Sequence, residues 1–162
     1  MTLLRLPCYH SAMAAKLIAL NISPGGMPKL PITSAFVSHD GVAGDWQRNR
    51  KYHGGIDRAI CLYSHELYDR LRAMDIDLPS GSVGENFTTT GIDFDHLRPG
   101  DRLEVGRAVI EITGVRTPCG NLNKVHPKLL AAMEGHSGWL AKVVVEGDVR
   151  PGDEVSVVTR SS

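Results

Sequence analysis

At 162 residues the chain has the length of one domain, and a domain of that size buries roughly 70% of its unfolded surface, so a core needs no disulfide or zinc staple. Eighteen Lys and Arg balance eighteen Asp and Glu, which argues against a general nucleic-acid binder or a basic membrane-surface protein; any working positive charge must be local. A hydrophobic share of 42% with 22% charged residues excludes a disordered chain, and no apolar run approaches the ~20 residues of a membrane span.

Residues 1–14 read as a disordered extension, with Met13 an alternative start, and residues 15–160 as a single domain. Ala12-Met13-Ala14 has the form of a signal cleavage site, but Arg5, Pro7 and His10 interrupt the apolar stretch that such a signal needs. Cys8, Cys61 and Cys119 are an odd set without CxxC spacing, which fits a reducing cytoplasm.

Lys16 to Ile22 predicts a first strand, ended by the turn cluster Ser23-Pro24-Gly25-Gly26. Ala59 to Tyr63 is an apolar run of strand length. Ser64 is a good N-cap for a helix whose stripe is Leu67, Leu71 and Met74. Leu103 to Val105 and Val109 to Val115 predict strands punctuated by Gly106. A short helix is predicted from Pro127 to Glu134 with Gly135 closing it, then strands at Leu140 to Val145 and Glu154 to Thr159. Arg98-Pro-Gly-Asp101 and Arg150-Pro-Gly-Asp153 echo each other, each a turn leading into a strand, with Asp bonding nearby backbone. Many strands, tight turns and no βαβ periodicity predict a mainly β fold, a closed or nearly closed barrel with two peripheral short helices.

Three stretches carry candidate chemistry. Cys61, between Ile60 and Leu62, reads as a small buried hydrophobe. Cys119 follows a strand in Arg116-Thr-Pro-Cys-Gly120, where Pro118 stiffens the approach and Gly120 leaves room for a ligand. Arg116 and Lys124 are placed to favour a thiolate, the nucleophilic and metal-binding form. The alternative there is an inert buried thiol in a turn.

The second stretch runs from Gly41 to Arg58. From Asp45 onward it sets Arg48, Arg50, Lys51 and Arg58 against Asp45 and Asp57, with His53-Gly54-Gly55 among them. Cations among glycines suit a phosphate, although a solvated surface loop would look the same. In the third, Gly84-Glu85-Asn86 either offers a carboxylate and an amide to a ligand or satisfies turn backbone. The remaining histidines lack zinc spacing, there is no GxSxG elbow, and a Cys119–His53 hydrolytic pair stays open.

In this order the stretches 41–66, 81–92, 98–122 and 138–155, with their HGG, GEN and RTPC elements, resemble the MOSC family. That domain ends eukaryotic molybdenum-cofactor sulfurases and also occurs as stand-alone bacterial proteins, and the chain looks most like the small bacterial type. The resemblance implies a β-barrel and a cysteine, here Cys119, that binds molybdenum or carries a persulfide. The implied cofactor is the pyranopterin molybdenum cofactor. Pyridoxal phosphate belongs to the desulfurase domain of the sulfurases and is not expected on this chain.

Cys119 and His53 are then the expected catalytic residues, with His53 as proton donor. Arg116, Asp45, Arg48, Arg50, Lys51, Gly54, Gly55, Arg58, Gly84, Glu85 and Asn86 are the expected cofactor pocket. Some relatives, the mitochondrial amidoxime-reducing component among them, reduce N-hydroxylated compounds, and small bacterial ones are linked to N-hydroxylated purines. The mitochondrial reductases carry extra N-terminal cofactor-binding structure, whereas here the barrel is expected to begin near residue 16.

The expected function is a molybdenum-dependent reductase with a small-molecule substrate. It would need an external reductase, since no flavin, haem or iron–sulfur motif is present. The alternatives are a sulfur carrier served by a sulfur-donor protein and a non-catalytic binding module. Neither nucleic acid nor membrane is an expected partner, and a homodimer is left open.

Overall fold

The computed structural model describes residues 14–46 and 55–158. Within them are eleven strands, β1 (Lys16–Ile22), β2 (Leu30–Ile32), β3 (Ala35–Ser38), β4 (Gly41–Val42), β5 (Ile60–Ser64), β6 (Phe87–Thr90), β7 (Arg102–Val105), β8 (Ala108–Val115), β9 (Trp139–Val145), β10 (Gly147–Val149) and β11 (Val155–Val158). Three short helices accompany them: α1 (His65–Ala73), α2 (Leu122–Val125) and α3 (Leu129–Ala132), with a 3-10 turn at Ile56–Arg58. The expected extension, residues 1–13 of it, lies outside the described residues. No described helix is long and apolar enough to cross a membrane.

The fold is mainly β, but neither sheet closes into the expected barrel. One sheet runs β11-β7-β8-β9-β5-β6-β1-β2 and the other β10-β3-β4. The reason is visible along the free edge of β1. Its second half, Leu20–Ile22, is taken by β2. Only the first half is left for the chain entering β11, which meets it through a single bridge, Lys16 to Glu154, and three backbone bonds: Leu17 N–H to Asp153, Gly152 N–H to Leu17 and Val155 N–H to Ala15. The ends touch without forming a ladder.

Both RPGD turns form as the sequence predicts, and they form identically. Asp101 accepts from the Arg98 N–H at 2.8 Å and Asp153 from the Arg150 N–H at 2.9 Å. The strands they launch, β7 and β11, pair with each other, Leu103 opposite Val157. Ser64 caps α1, accepting from the Leu67 N–H at 3.1 Å. The helical stripe is shifted from expectation, since Met74 is exposed while Tyr68 is buried edge-to-face on Tyr63. The second expected helix shortens to α3, and α2 precedes it.

Alternation along β5 sorts its residues between two environments. Ile60 and Leu62 point into the main core with Leu17, Leu20, Ile110 and Ile112. Cys61 and Tyr63 therefore face the other way. Tyr63 enters a second core with Leu71, Val83, Leu122 and Met133, built where the helices cover the sheet. That second face, beyond the helices, carries the site.

Candidate functional site

A cavity of about 640 Å³ opens on that face. Its back wall is Cys61 of β5 and Leu140 of β9, which are directly paired across the sheet. The register of β8 against β9 slips by one residue between Ile112 and Gly114, so Gly114 pairs with Leu140. Such bulges re-aim the strand that follows. Here the chain continues into Arg116, whose N–H donates to Gly138 at 3.0 Å and whose carbonyl accepts from the Ser137 hydroxyl. Arg116 is thus pinned on both sides before the loop reaches Cys119.

Cys119 is half-buried and lines the cavity. Its carbonyl accepts from the Leu122 N–H at 3.1 Å, which fixes the loop at the start of α2. Four cations, Lys29, Arg58, Arg116 and Lys124, line the same cavity, and no carboxylate does among the described residues. A neutral chain has gathered local positive charge in the cavity that this cysteine also lines.

Cys61 is buried as expected and also reaches the cavity. Burial pushes its thiol up, an effect that nearby Arg116 and Lys29 oppose. A raised, buried thiol reacts slowly. In a Cys8→Ser background at neutral pH, iodoacetamide is expected to modify Cys119 at least about tenfold faster than Cys61. Peptide mass spectrometry reads the two rates, and faster labelling of Cys61 would contradict the assignment.

The GEN element splits by function. Gly84 and Asn86 line the cavity. A Cβ on Gly84 would lie 2.7 Å from Met27 Cγ and 3.7 Å from Arg116 Nη2, and its φ of +86° suits glycine, so no side chain replaces it without moving that wall. Asn86 holds three elements together, its Oδ1 accepting from the Cys61 N–H at 3.1 Å and its Nδ2 donating to Asp45 at 2.9 Å and to the Asn21 carbonyl at 3.3 Å.

Glu85 points away, fully buried, and its Oε1 accepts from the Gly81 N–H at 2.7 Å, the Thr88 hydroxyl at 2.7 Å and the Tyr68 hydroxyl at 2.8 Å. Of the two readings the sequence left open for this residue, the internal one describes its surroundings: Glu85 is not among the lining residues.

Asp45 stands one layer behind the wall. It accepts from the Ser23 N–H at 2.9 Å, from Asn86 and from the Lys29 ammonium at 2.5 Å. Of the expected basic cluster, Arg58 lines the cavity, and Gly55 caps the 3-10 turn without lining it. Arg48, Arg50, Lys51, His53 and Gly54 lie outside the described residues. Sequence reasoning passed over Lys29, Cys61 as a wall residue, and Trp46, which is 55% exposed at the cavity. Lys29 had one signal, a lysine directly after a Gly-rich turn and before an apolar strand, and that is a weak one.

Residues 49–156 match the MOSC domain family. The chain belongs to that family. Protein YiiM of Escherichia coli is 31% identical over 149 residues, covering 86% of this MOSC chain and 66% of YiiM. YflK of Bacillus subtilis is 30% identical over 141 residues, covering 83% of this chain and 64% of its own. The chain thus spans just under two thirds of the length of each. A fungal protein named reductase, from Gibberella moniliformis, is 32% identical over 134 residues, 77% of this chain and 24% of that protein. The crystal structure of E. coli YiiM superposes with a TM-score of 0.72 at 25% identity, covering 91% of this chain and 71% of YiiM.

The family is associated with the molybdenum cofactor, and the cavity fits such a group in three respects. Thiolate sulfur is a soft ligand for a thiophilic metal. The volume lies within the range of small-molecule sites. The lining is cationic, and Arg116 Nη1 is buried with no hydrogen-bond partner among the described residues.

Proposed function

We propose that this MOSC protein is a molybdenum-cofactor-dependent reductase of N-hydroxylated compounds, with Cys119 as the protein ligand to the metal. The observation that carries the reading is a half-buried thiol in one cavity with four cations and no lining carboxylate. The fungal relative's name, reductase, supports the reaction class.

The residues divide the work as follows. Cys119 offers the soft sulfur from a loop fixed at both ends. Arg58 and Lys124 give the cavity wall the charge to hold an anionic cofactor, and Arg48, Arg50 and Lys51 are proposed from the sequence to add to it. Asn86 and Asp45 tie the floor together. His53 is the proton donor proposed for the leaving oxygen. What the cofactor supplies when bound is two-electron, oxygen-accepting chemistry. The overall change is R–NHOH + 2e⁻ + 2H⁺ → R–NH₂ + H₂O, with the electrons delivered by an external reductase.

The test uses protein made in a host that synthesises the cofactor, a chemically reduced viologen as donor and an amidoxime as substrate. Turnover to the amidine, absent from protein made without the cofactor, is the expected result. A loaded protein that does not turn over and yields cyanide-labile sulfur from Cys119 would identify a sulfur carrier instead.

A further inference from the structure

Among the described residues, the four most exposed large hydrophobic side chains are Leu30 at 65%, Ile56 at 64%, Val115 at 61% and Trp46 at 55%. They come from four separate stretches of sequence, yet each lies at the cavity or within two residues of its lining. Trp46 and Val115 line it, Leu30 follows the lining Lys29, and Ile56 shares the 3-10 turn with the lining Arg58. Single exposed apolar residues are ordinary on a protein surface, but a gathered set marks an interaction site.

The fold assembles them in two pairs. Leu30 is paired with Ile22 across β2 and β1. A Cβ on Gly44 would lie 3.0 Å from Ile22 Cδ1, and the Trp46 N–H donates to the Ser23 carbonyl at 2.8 Å, so the chain reaching Trp46 is folded onto the end of β1. For the other pair, the Thr113 hydroxyl donates to the Asp57 carbonyl at 2.6 Å. That bond ties the turn bearing Ile56 to β8, two residues before Val115.

Behind this apolar rim lie Lys29, Arg58, Arg116 and Lys124, with no lining carboxylate among the described residues. A cleft lined by charge of one sign focuses its field at the opening. An apolar rim around such a field, with an aromatic residue in it, has the anatomy of a protein docking surface. The partner that fits it carries an acidic face. The cations are recessed, Lys29 being buried, which argues against a flat lipid surface as the occupant.

We infer that Leu30, Trp46, Ile56 and Val115 form the docking surface for the electron donor, a small redox protein whose prosthetic group is edged by carboxylates. The inference rests on the reductase reading, which needs electrons delivered into this cavity. Two reduced donor molecules each give one electron per turnover, matching the two electrons that the reaction consumes.

Titration of ¹⁵N-labelled protein from a cofactor-producing host with oxidised flavodoxin, an acidic flavin protein, reads docking without turnover. The chain has two tryptophans, whose indole signals report separately. Trp46 at the rim is expected to shift, and Trp139, whose indole N–H donates to the Phe94 carbonyl at 3.1 Å, to stay. Saturation below about 1 mM, weakened at least about fivefold as salt rises from about 0.05 to about 0.5 M, is the expected result.

Ile56→Asp and Val115→Asp set a carboxylate against an acidic partner and are expected to weaken docking at least about tenfold each. Val158→Asp, at the far edge of the sheet on β11, is expected to leave it unchanged. All three sites are exposed, so the variants are expected to fold, which melting curves check. Ile56→Asp should keep viologen-driven amidoxime turnover within about twofold while turnover driven by reduced flavodoxin falls at least about tenfold.

A Trp46 signal unmoved by about 1 mM flavodoxin, in protein that turns over with viologen, would overturn this inference alone. Absent viologen turnover would overturn the reductase reading and the donor with it. Co-sedimentation with vesicles of phosphatidylcholine and phosphatidylglycerol, or a dimer that Ile56→Asp disrupts, would give the surface to a membrane or to a second copy and overturn the inference.

Discussion

Glu85→Ala is expected to lower the unfolding free energy by about 3–5 kcal/mol. The side chain is fully buried, and alanine would leave the Gly81 N–H and the Thr88 and Tyr68 hydroxyls without their shared acceptor. The damage would spread, because Thr88 also accepts from Asn21 at 3.1 Å, and Asn21 meets Asn86 behind the cavity floor. Urea unfolding checks the value. A loss below about 1 kcal/mol would mean that this network is replaceable by water or by repacking.

Glu85→Gln separates charge from hydrogen bonding. Burial pushes the Glu85 carboxyl above its ordinary value, with the bonds from Gly81, Thr88 and Tyr68 acting against that rise. The folded state then holds the proton more tightly than the unfolded chain. The stabilisation from that proton is complete below the ordinary value of 4.5 and is lost as pH rises through the folded one. Wild type should lose stability relative to Glu85→Gln as pH rises above the ordinary value of 4.5, and equal slopes would contradict the assigned direction.

Cys119→Ser is expected to reduce amidoxime turnover by about a thousandfold or more while changing stability by less than about 1 kcal/mol. The side chain is half-buried in a loop, so a serine fits without opening a core cavity. A hydroxyl is a hard, weakly acidic group and a poor substitute for thiolate at a thiophilic metal. The ratio of kcat/KM values measured on viologen-driven turnover gives the effect directly. Undiminished turnover would remove Cys119 from the reaction, and a large fall in melting temperature would show a structural role instead.

The local signals were legible because they rest on local physics. The Ser64 cap, the two Asp turns and the apolar alternation of β1, β8 and β9 each depend on residues close in sequence. Cys119 and Arg116 stood out because proline and glycine around a loop thiol mark a constrained, open backbone. Closure of the barrel was not legible, because it turns on how β2, close in sequence, and the residues around the start of β11, more than a hundred positions away, divide one edge of β1.

Lys29 and Cys61 were missed for a related reason. Cys61 sits in an apolar run that looks wholly interior, and only the sheet decides that one face of β5 meets helices in one half and a cavity in the other. Lys29 becomes a wall residue through Asp45, sixteen positions away, and Gly81, fifty-two away. Glu85 erred in the opposite direction. A carboxylate between glycine and asparagine looks like a ligand group until Tyr68 from α1 arrives beneath it.

Molybdenum and pterin analysis of protein purified from a cofactor-producing host, wild type beside Cys119→Ser, goes straight to the central assignment. The account predicts about one molybdenum and one pterin per wild-type chain and loss of the metal from the serine variant. Wild-type protein carrying no molybdenum, or a serine variant that keeps its full share, would contradict it.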